Sequence, residues 1–185
     1  MDISIIAALF GPQHVIGYQG DQPLFLKGDL KQFRERTLGK PVIMGRKTYW
    51  AVRKAWEARY PGKEMLAERL KVVITGSSDR TPYLGSIVAR NFNESLRLLK
   101  EGNLGQDGIF VIGGGQVYEA ALPYANSLFL TRVPDYQGPG DVFFPDFVSH
   151  FPLETLTKVD SSVDEASGLK VEYQTYIRRA PSPLP

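Results

Sequence analysis

The sequence contains no cysteine and only two histidines, His14 and His150, which lie far apart along the chain. Without thiols the chain can form no disulfide, offers no cysteine nucleophile and provides no thiolate ligand for a metal. Two distant histidines do not have the ligand spacing of a zinc site, so we expect no metal centre. The composition fits a reducing compartment, and we expect a cytoplasmic protein.

Long apolar runs and an excess of one charge are also missing. No run approaches the ~18 apolar residues that a membrane-spanning helix needs. Residues 3–9 are apolar but have no basic leader, which favours a buried strand over a signal peptide. The formal net charge of +2 gives no reason to expect nucleic acid or an anionic membrane as a partner. The 185 residues suffice for one domain with a full core.

Short apolar runs alternate with helical patterns along most of the chain, which predicts an α/β fold. Strands are predicted at 3–9, 41–44, 72–74, 86–89, 109–112 and 127–132, with a terminal hairpin at 153–159 and 169–177. Helices are predicted at 28–38, from 47 through the charged stretch 53–70 with a break at Pro61-Gly62, at 94–101 with Asn93 as N-cap, and from 116 to 122. Residues 10–26, rich in glycine and proline, are predicted to form one long functional loop. We expect one domain at 1–179 and a frayed proline-rich tail at 180–185.

Four predicted strand ends have residues suited to a ligand, and open parallel sheets bind ligands at this edge. They are residues 7–8, 45–48, 75–78 and 113–115. Glycines before a helix let backbone N–H groups approach a phosphate. Each pattern alone is equally typical of a turn, and Arg46 and Lys47 alone are typical of solvated surface. The triple glycine lacks the usual dinucleotide-binding spacing. Together, however, the four patterns predict a site for a phosphorylated nucleotide.

Asp29 lies early in a predicted helix beside Leu26, Leu30 and Phe33, and this placement has two interpretations. A carboxylate in the first turn is favoured by the helix dipole and needs no other role. Alternatively, Asp29 faces an apolar pocket, where its pKa would be raised and it would bind a polar heterocycle. The residues alone do not decide between these two.

Several blocks of sequence, in this order and spacing, resemble dihydrofolate reductase over residues 3–179. The most specific are TLGKPVIMGRKT at 37–48 and IGGGQVY at 112–118; the others are SIIAAL at 4–9, VIG at 15–17, Asp29-Leu30 with Phe33, Leu130-Thr131, and Gly140-Asp141 with Phe144-Pro145. The resemblance implies a single-domain, mixed, mostly parallel eight-stranded sheet flanked by helices, with an antiparallel C-terminal hairpin. It also implies NADPH-dependent reduction of dihydrofolate, in support of one-carbon metabolism and thymidylate synthesis, and antifolates as inhibitors.

The resemblance also assigns roles to residues. Asp29 corresponds to the catalytic carboxylate that holds the 2-amino group and N3 of the pterin. Thr131 corresponds to the hydroxyl that supports it. The implied substrate contacts are Ile6, Ala7, Leu30, Phe33, Val52, Arg69, Ile112, Tyr118 and Thr131. The implied cofactor contacts are Ala8, Ile16, Gly17, Gly20, Asp21, Gly45, Arg46, Lys47, Thr48, Thr75, Gly76, Ser77, Gly113, Gly114, Gly115, Gln116, Val117 and Tyr118. A cis peptide bond is expected between Gly113 and Gly114.

The loop at residues 10–26 corresponds to the family's mobile flap, and it departs from the family pattern. The family usually has tryptophan after the flap proline, whereas Leu24 follows Pro23 here. That indole helps to place a water near the pterin. Without it, the sequence does not decide how a proton is delivered to the pterin. Asp141 corresponds to a residue on a second loop that latches the flap. It is followed by Val142, where the family often has threonine.

An insertion at residues 53–68 precedes the arginine that binds the α-carboxylate of the substrate's glutamate in this family. Counting back from the strand at 72–74 assigns that role to Arg69, whereas counting by the Pro-Gly pair assigns it to Lys63. We favour Arg69, because a guanidinium can bind a carboxylate with two parallel hydrogen bonds.

Two other functions fit parts of the pattern. The related pyrimidine reductase of riboflavin synthesis shares the sheet and the NADPH site, but should lack a carboxylate at Asp29. A folate-binding or nucleotide-binding module without turnover is compatible with the missing flap tryptophan. We expect a monomer that binds neither nucleic acid nor membrane.

Overall fold

The computed structural model describes residues 1–78, 83, 85–178 and 181–184. Within them the chain forms ten strands and four α-helices. The strands are β1 (Ile3–Phe10), β2 (Val15–Gly17), β3 (Val42–Gly45), β4 (Lys71–Ile74), β5 (Ser86–Ala89), β6 (Ile109–Gly113), β7 (Ser127–Val133), β8 (Val142–Phe143), β9 (Leu156–Val163) and β10 (Lys170–Ile177). The helices are α1 (Lys27–Thr37), α2 (Arg46–Arg59), α3 (Phe92–Glu101) and α4 (Gly115–Ala121). None of these helices is long and apolar enough to cross a membrane.

Eight of the strands form the main sheet, in the order β5-β4-β3-β6-β1-β7-β10-β9. The pairings from β5 to β7 are parallel, whereas β10 runs antiparallel to both β7 and β9. The predicted mostly parallel sheet with an antiparallel C-terminal hairpin is therefore confirmed. The parallel strands bring their carboxyl ends to one edge, where the candidate site lies.

The central strands are apolar on both faces because both faces of the sheet are covered. Neighbouring residues of β1 show this directly: Ile5 packs into a cluster with Leu96 and Leu99 of α3, while Ile6 packs on the other face with Tyr49 of α2. Helices on both sides of the sheet thus hold the strands, and their ends, in fixed positions.

The long loop predicted at 10–26 contains a short strand. Val15 in β2 pairs with Phe10 in β1, and β2 also pairs with β8. Strands of two and three residues are set by their partners rather than by their own pattern, which is why the sequence did not predict them.

Some predicted boundaries are wrong. The N-cap of α3 is Asn91 rather than Asn93, because the Asn91 side chain accepts a hydrogen bond from the Glu94 N–H at 2.9 Å. The Glu94 carboxylate in turn accepts from the Arg90 N–H at 2.6 Å, which completes a reciprocal cap. The strand predicted at 153–159 corresponds to β9, which ends four residues later than predicted. Its first residue follows a 3₁₀ turn at Leu153–Thr155, so it also begins later than predicted.

The insertion extends α2 and then forms a turn. The helix ends at Arg59, so the helical character predicted for residues 60–70 is wrong. Gly62 adopts a left-handed conformation with φ of +71°, which suits a turn. The Trp56 indole donates to the Lys63 carbonyl at 3.1 Å, which fixes the turn against the helix. Lys71 then pairs with Glu64 at 2.6 Å as β4 begins.

In the tail predicted at 180–185, the Ser182 N–H donates to the Pro123 carbonyl at 2.9 Å. Residues 179, 180 and 185 lie outside the described part of the chain.

Candidate active site

A cleft of about 2350 Å³ opens at the carboxyl edge of the parallel strands. Every residue predicted to contact substrate or cofactor lines this cleft, with the exception of Thr131. Its walls are the ends of β1, β3, β4 and β6, the helices α1 and α2, and the segment around β2. The structure thus brings together residues that are dispersed over most of the sequence.

Asp29 lies in the first turn of α1, where it is 9% exposed. Its carboxylate accepts hydrogen bonds from the side chains of Thr131 and Gln22. Burial raises the pKa of Asp29, and the two hydrogen bonds oppose this rise. The carboxylate is therefore a desolvated hydrogen-bonding group at the wall of the cleft, as the pocket interpretation predicts.

Thr131 lies in β7 and is only 5% exposed. It is not among the residues that line the cleft, and its hydroxyl donates to the Asp29 carboxylate. This is the supporting contact that the family resemblance implies for Thr131.

Apolar side chains line the cleft next to Asp29. Leu30 and Phe33 extend from α1, Val52 from α2 and Ile112 from β6. Opposing apolar walls with one charged group between them suit a flat, polar-edged ring.

Tyr118 is buried below this part of the cleft, and its hydroxyl donates to the Ile6 carbonyl at 2.9 Å. Burial, and then the nearby Asp29 carboxylate, raise the pKa of Tyr118. The phenol therefore stays neutral and holds the end of β6 and α4 against β1.

Arg69 is held in place by three hydrogen bonds from its guanidinium. It donates to the Thr37 hydroxyl at 2.8 Å, to the Ala67 carbonyl at 2.9 Å and to the Arg34 carbonyl at 3.3 Å. A guanidinium has five N–H groups, so two remain for a ligand. Lys63 also lines the cleft, but it is exposed on the turn after α2.

The N-terminus of α2 has the features of an anion site. Its N-cap is Gly45, which provides no side-chain cap, and its first turn contains no acidic residue. Arg46 and Lys47 occupy that turn instead, although the positive end of the helix dipole disfavours cations. Thr75 and Ser77 follow β4 in the same cleft. Unsatisfied N–H groups and two cations together favour an anion here.

Three glycines of the cleft, Gly45, Gly114 and Gly115, pack closely against the rest of the protein. A Cβ at Gly45 would lie 3.2 Å from Val117, one at Gly114 would lie 3.2 Å from the Thr48 hydroxyl, and one at Gly115 would lie 3.0 Å from the Phe143 carbonyl. The predicted cis peptide bond between Gly113 and Gly114 is confirmed. A side chain at any of these three positions would push against neighbouring protein atoms.

Hydrogen bonds connect the segment around β2 to the loop at Asp141. The Asp141 N–H donates to the Gly17 carbonyl at 3.0 Å, and its carboxylate accepts from the Gln19 N–H at 2.9 Å. Val142, in β8, pairs with Gly17 through the backbone. A valine in place of threonine is compatible with this connection, because main-chain atoms and Asp141 form it.

The family model for dihydrofolate reductase matches residues 2–178. The chain belongs to the dihydrofolate reductase family. It is 33% identical over 179 residues to the dihydrofolate reductase type 3 of Salmonella typhimurium, covering 97% of this chain and 99% of the relative. It is 35% identical over 178 residues to the dihydrofolate reductase of Buchnera aphidicola subsp. Acyrthosiphon pisum (strain APS), covering 96% and 100% of the two chains. The match to the dihydrofolate reductase of Bacillus subtilis (strain 168) is 29% over 178 residues, covering 96% and 95%.

As a member of the dihydrofolate reductase family, the protein is an oxidoreductase. Several residues of its cleft were not predicted from the sequence. They are Gln22, Arg34, Trp56, Arg59 and Arg90. Arg34 lies one turn beyond Leu30 on α1, a spacing that could have revealed it. No sequence signal marks the others, since Gln22 depends on the path of the flap, Trp56 and Arg59 depend on the insertion, and Arg90 lies in the short connection between β5 and α3. The described residues contain no cluster of side chains that could hold a metal ion.

Proposed function

We propose that this protein catalyses the NADPH-dependent reduction of 7,8-dihydrofolate to 5,6,7,8-tetrahydrofolate. Membership of the dihydrofolate reductase family supports the reduction of dihydrofolate. The observation that supports the site most strongly is the buried Asp29 carboxylate, which is fixed by Thr131 and Gln22 at the wall of an apolar cleft.

The pterin edge is complementary to Asp29. Its 2-amino group and N3 present adjacent N–H donors, and a carboxylate has two oxygens that can accept both. Leu30 and Phe33 on one helix, and Ile6 on β1, provide apolar contacts to the ring faces and the benzoyl group. The ring is thereby oriented with its reacting bond directed along the cleft.

The residues at the other end of the cleft fit NADPH. Arg46 and Lys47, with the hydroxyls of Thr75 and Ser77, suit the 2′-phosphate of the adenosine. Gly113, Gly114 and Gly115 line the cleft where α4 begins, and we assign the diphosphate and the nicotinamide end to them. When bound, NADPH supplies the hydride that is added to C6 of the pterin.

Proton delivery to N5 uses water in this proposal. Leu24 keeps the cleft apolar where the family usually has an indole, but it offers no N–H donor. Asp29 lies at the opposite edge of the ring from N5. It therefore acts by polarising the ring and increasing the basicity of N5, with a water as the immediate donor.

The pyrimidine reductase alternative is not favoured, because the chain has a buried carboxylate at Asp29 and belongs to the dihydrofolate reductase family. No observation favours a binding module without turnover. We further propose a cytoplasmic monomer that antifolates inhibit and that binds neither nucleic acid nor membrane.

Oxidation of NADPH in the presence of dihydrofolate tests the proposal. The purified protein is expected to oxidise NADPH only when dihydrofolate is added, and tetrahydrofolate should form in equal amount. Binding of both compounds without oxidation would instead support the module without turnover. Oxidation with the pyrimidine of riboflavin synthesis, and not with dihydrofolate, would support the other reductase.

A further inference from the structure

His14 occupies the turn between β1 and β2, and the proposed reaction makes no use of it. Its φ of +56° is left-handed, a conformation that few residues other than glycine adopt. The backbone holds the turn in this shape, because the His14 N–H donates to the Gly11 carbonyl at 3.2 Å and the His14 carbonyl accepts from the Phe144 N–H at 2.9 Å. His14 is therefore fixed between the flap and the segment 144–147 that follows β8.

The side chain of His14 forms a hydrogen bond with a cation. Its Nε2 lies 2.9 Å from a guanidinium nitrogen of Arg132, which is in β7. A guanidinium has N–H donors and no acceptor, so Nε2 must be the acceptor and can carry no proton. This hydrogen bond exists only while the imidazole is neutral. A proton on Nε2 would remove it and leave two positive charges in contact.

A carboxylate lies on the other side of the imidazole. The charged groups that act on His14 in the described part of the chain are Arg132 and Asp146. Asp146 is next to Phe147, whose ring centre lies 5.9 Å from that of His14. Burial, and then the charge of Arg132, lower the pKa of His14, while Asp146 opposes them more weakly. Near neutral pH the surroundings therefore favour the neutral ring bound to Arg132, and the protonated ring is attracted to Asp146 instead.

Arg132 also has an alternative neighbour. Glu172 lies opposite it on β10 and forms an ion pair with Lys170 at 2.7 Å. Among the residues that the structure describes, no carboxylate forms an ion pair with Arg132 itself. A protonated His14 would thus leave Arg132 free to turn towards Glu172. The two cations would separate, each in the direction of a carboxylate.

The contact between His14 and Arg132 lies at the base of one wall of the cleft. Ile16 and Gly17, which follow His14 in β2, line the cleft, and so does Phe144. Strand β2 is joined to β8 by backbone pairing, and the hydrogen bond from Phe144 to the His14 carbonyl continues this connection. A movement of the His14 side chain therefore acts on the part of the flap that borders the cleft.

We propose that His14 is a pH-sensitive switch, in which protonation of the imidazole breaks its contact with Arg132 and loosens the flap from the segment that follows β8. At neutral pH the contact is formed and the flap is held. At acidic pH the contact is lost, and the wall of the cleft at β2 becomes less ordered. This inference concerns the ligand-free protein and does not depend on the proposed reaction.

Hydrogen exchange of single backbone amides tests the switch in the ligand-free protein, from neutral pH down through the range in which histidines titrate. The reporter is the Phe144 N–H, because its acceptor is the His14 carbonyl. Its protection factor, corrected for the intrinsic rate at each pH, should fall about fivefold, as expected for the loss of one hydrogen-bonded contact. The Val42 N–H, which donates to the Leu70 carbonyl, is the reference and should stay protected.

Two variants remove the titration of His14. His14→Gln retains a side-chain oxygen that can accept from Arg132, and His14→Asn suits the left-handed backbone if the glutamine variant folds poorly. Neither side chain ionises, so the protection of the Phe144 N–H should not change with pH in these variants. His150→Gln removes the only other histidine of the chain. This matched control should keep the wild-type response.

NMR titration of the imidazole signals identifies the group that responds. The His14 signals, assigned by their absence from the spectrum of His14→Gln, should titrate below the usual histidine range. They should titrate at a higher pH in Arg132→Met, because that variant removes the cation that opposes protonation. The fall in protection of the Phe144 N–H should follow the titration of His14 in the wild type.

Constant protection of the Phe144 N–H through the titration of His14 would overturn the proposal. The same pH response in His14→Gln as in the wild type would overturn it too, since another group would then control the flap. His14 signals that do not titrate before the protein unfolds would also contradict it. None of these outcomes involves substrate or cofactor, so each leaves the proposed reductase function intact.

Discussion

At the scale of single residues, the chemistry of the site depends on where one carboxylate is placed. Asp29 is in the first turn of α1, so the helix holds its side chain at the cleft, and Thr131 of β7 holds it from behind. The residue pattern identified Asp29 as a candidate with two interpretations open, whereas its role and that of Thr131 came only from the family resemblance. It could not predict Gln22, because the hydrogen bond from Gln22 to Asp29 depends on how the flap folds back.

The raised pKa of Asp29 predicts how stability changes with pH. In the folded protein the carboxyl binds its proton more tightly than in the unfolded chain, because burial disfavours the charged form. Its contribution to stability is therefore full below the ordinary aspartate pKa and is lost as pH rises through the raised pKa. Denaturant unfolding of the ligand-free protein across this window should show the decline.

The control for this prediction is Asp29→Asn, which keeps the shape but cannot ionise. In the variant this part of the decline should be absent, and the ligand-free protein should be more stable than the wild type above the window. Identical pH profiles for the two proteins would show that Asp29 ionises as it does in the unfolded chain.

The position of Arg69 predicts that its removal affects the binding of substrate rather than the chemical step. Arg69→Ala should weaken dihydrofolate binding by about 1.5–3 kcal/mol, as expected for a lost hydrogen bond to a charged group. A dihydropterin without a glutamate tail should be reduced almost as well as by the wild type, since the lost contact is far from the reacting bond. Titration of ligand binding and the KM values of both compounds check this.

Lys63 is the other candidate for the same contact. If Lys63→Ala weakens binding of the monoglutamate more than Arg69→Ala does, our register across the insertion is wrong. The hydrogen bonds that fix Arg69 to Thr37 and Ala67 are the structural reason for expecting the opposite.

At the scale of elements, our proposal assigns the choice of cofactor to the N-terminus of α2. Its first turn contains Arg46 and Lys47 and no acidic residue, and its N-cap glycine leaves backbone N–H groups available. The sequence predicted this end of the helix well, because strand, glycine and cations follow one another directly. It did not predict how far α2 continues, since Pro61 and Gly62 mark a turn without fixing where the insertion packs.

A strong preference for NADPH over NADH follows from this helix end. Replacing both Arg46 and Lys47 by alanine should cost about 2–4 kcal/mol of NADPH affinity if each contributes a charge-assisted hydrogen bond. NADH affinity should change little, because NADH lacks the 2′-phosphate. Dissociation constants for both cofactors measure the effect, and equal efficiency of the wild type with NADH and NADPH would refute the placement.

At the scale of the whole molecule, the sequence predicted the order of strands and helices but not every contact between them. Continuous apolar runs such as β1 and β6 are reliable signals, because a strand covered on both faces must be apolar throughout. The short strands β2 and β8 have no such signal, since each exists only through its pairing with distant residues. Pairings between distant residues position the segments that border the cleft. The outer edge of the cleft was therefore the part of the site that the sequence predicted least well.

The central claim is that Asp29 serves the reduction of dihydrofolate in this cleft. The measurement that tests it most directly is the rate of NADPH oxidation with dihydrofolate for the wild type and for Asp29→Asn under identical conditions at pH 7. We predict rapid oxidation by the wild type and at least about a hundredfold lower turnover by the variant, within the usual range for an acid–base group. A correctly folded Asp29→Asn variant that turns over dihydrofolate at a near wild-type rate would contradict the account.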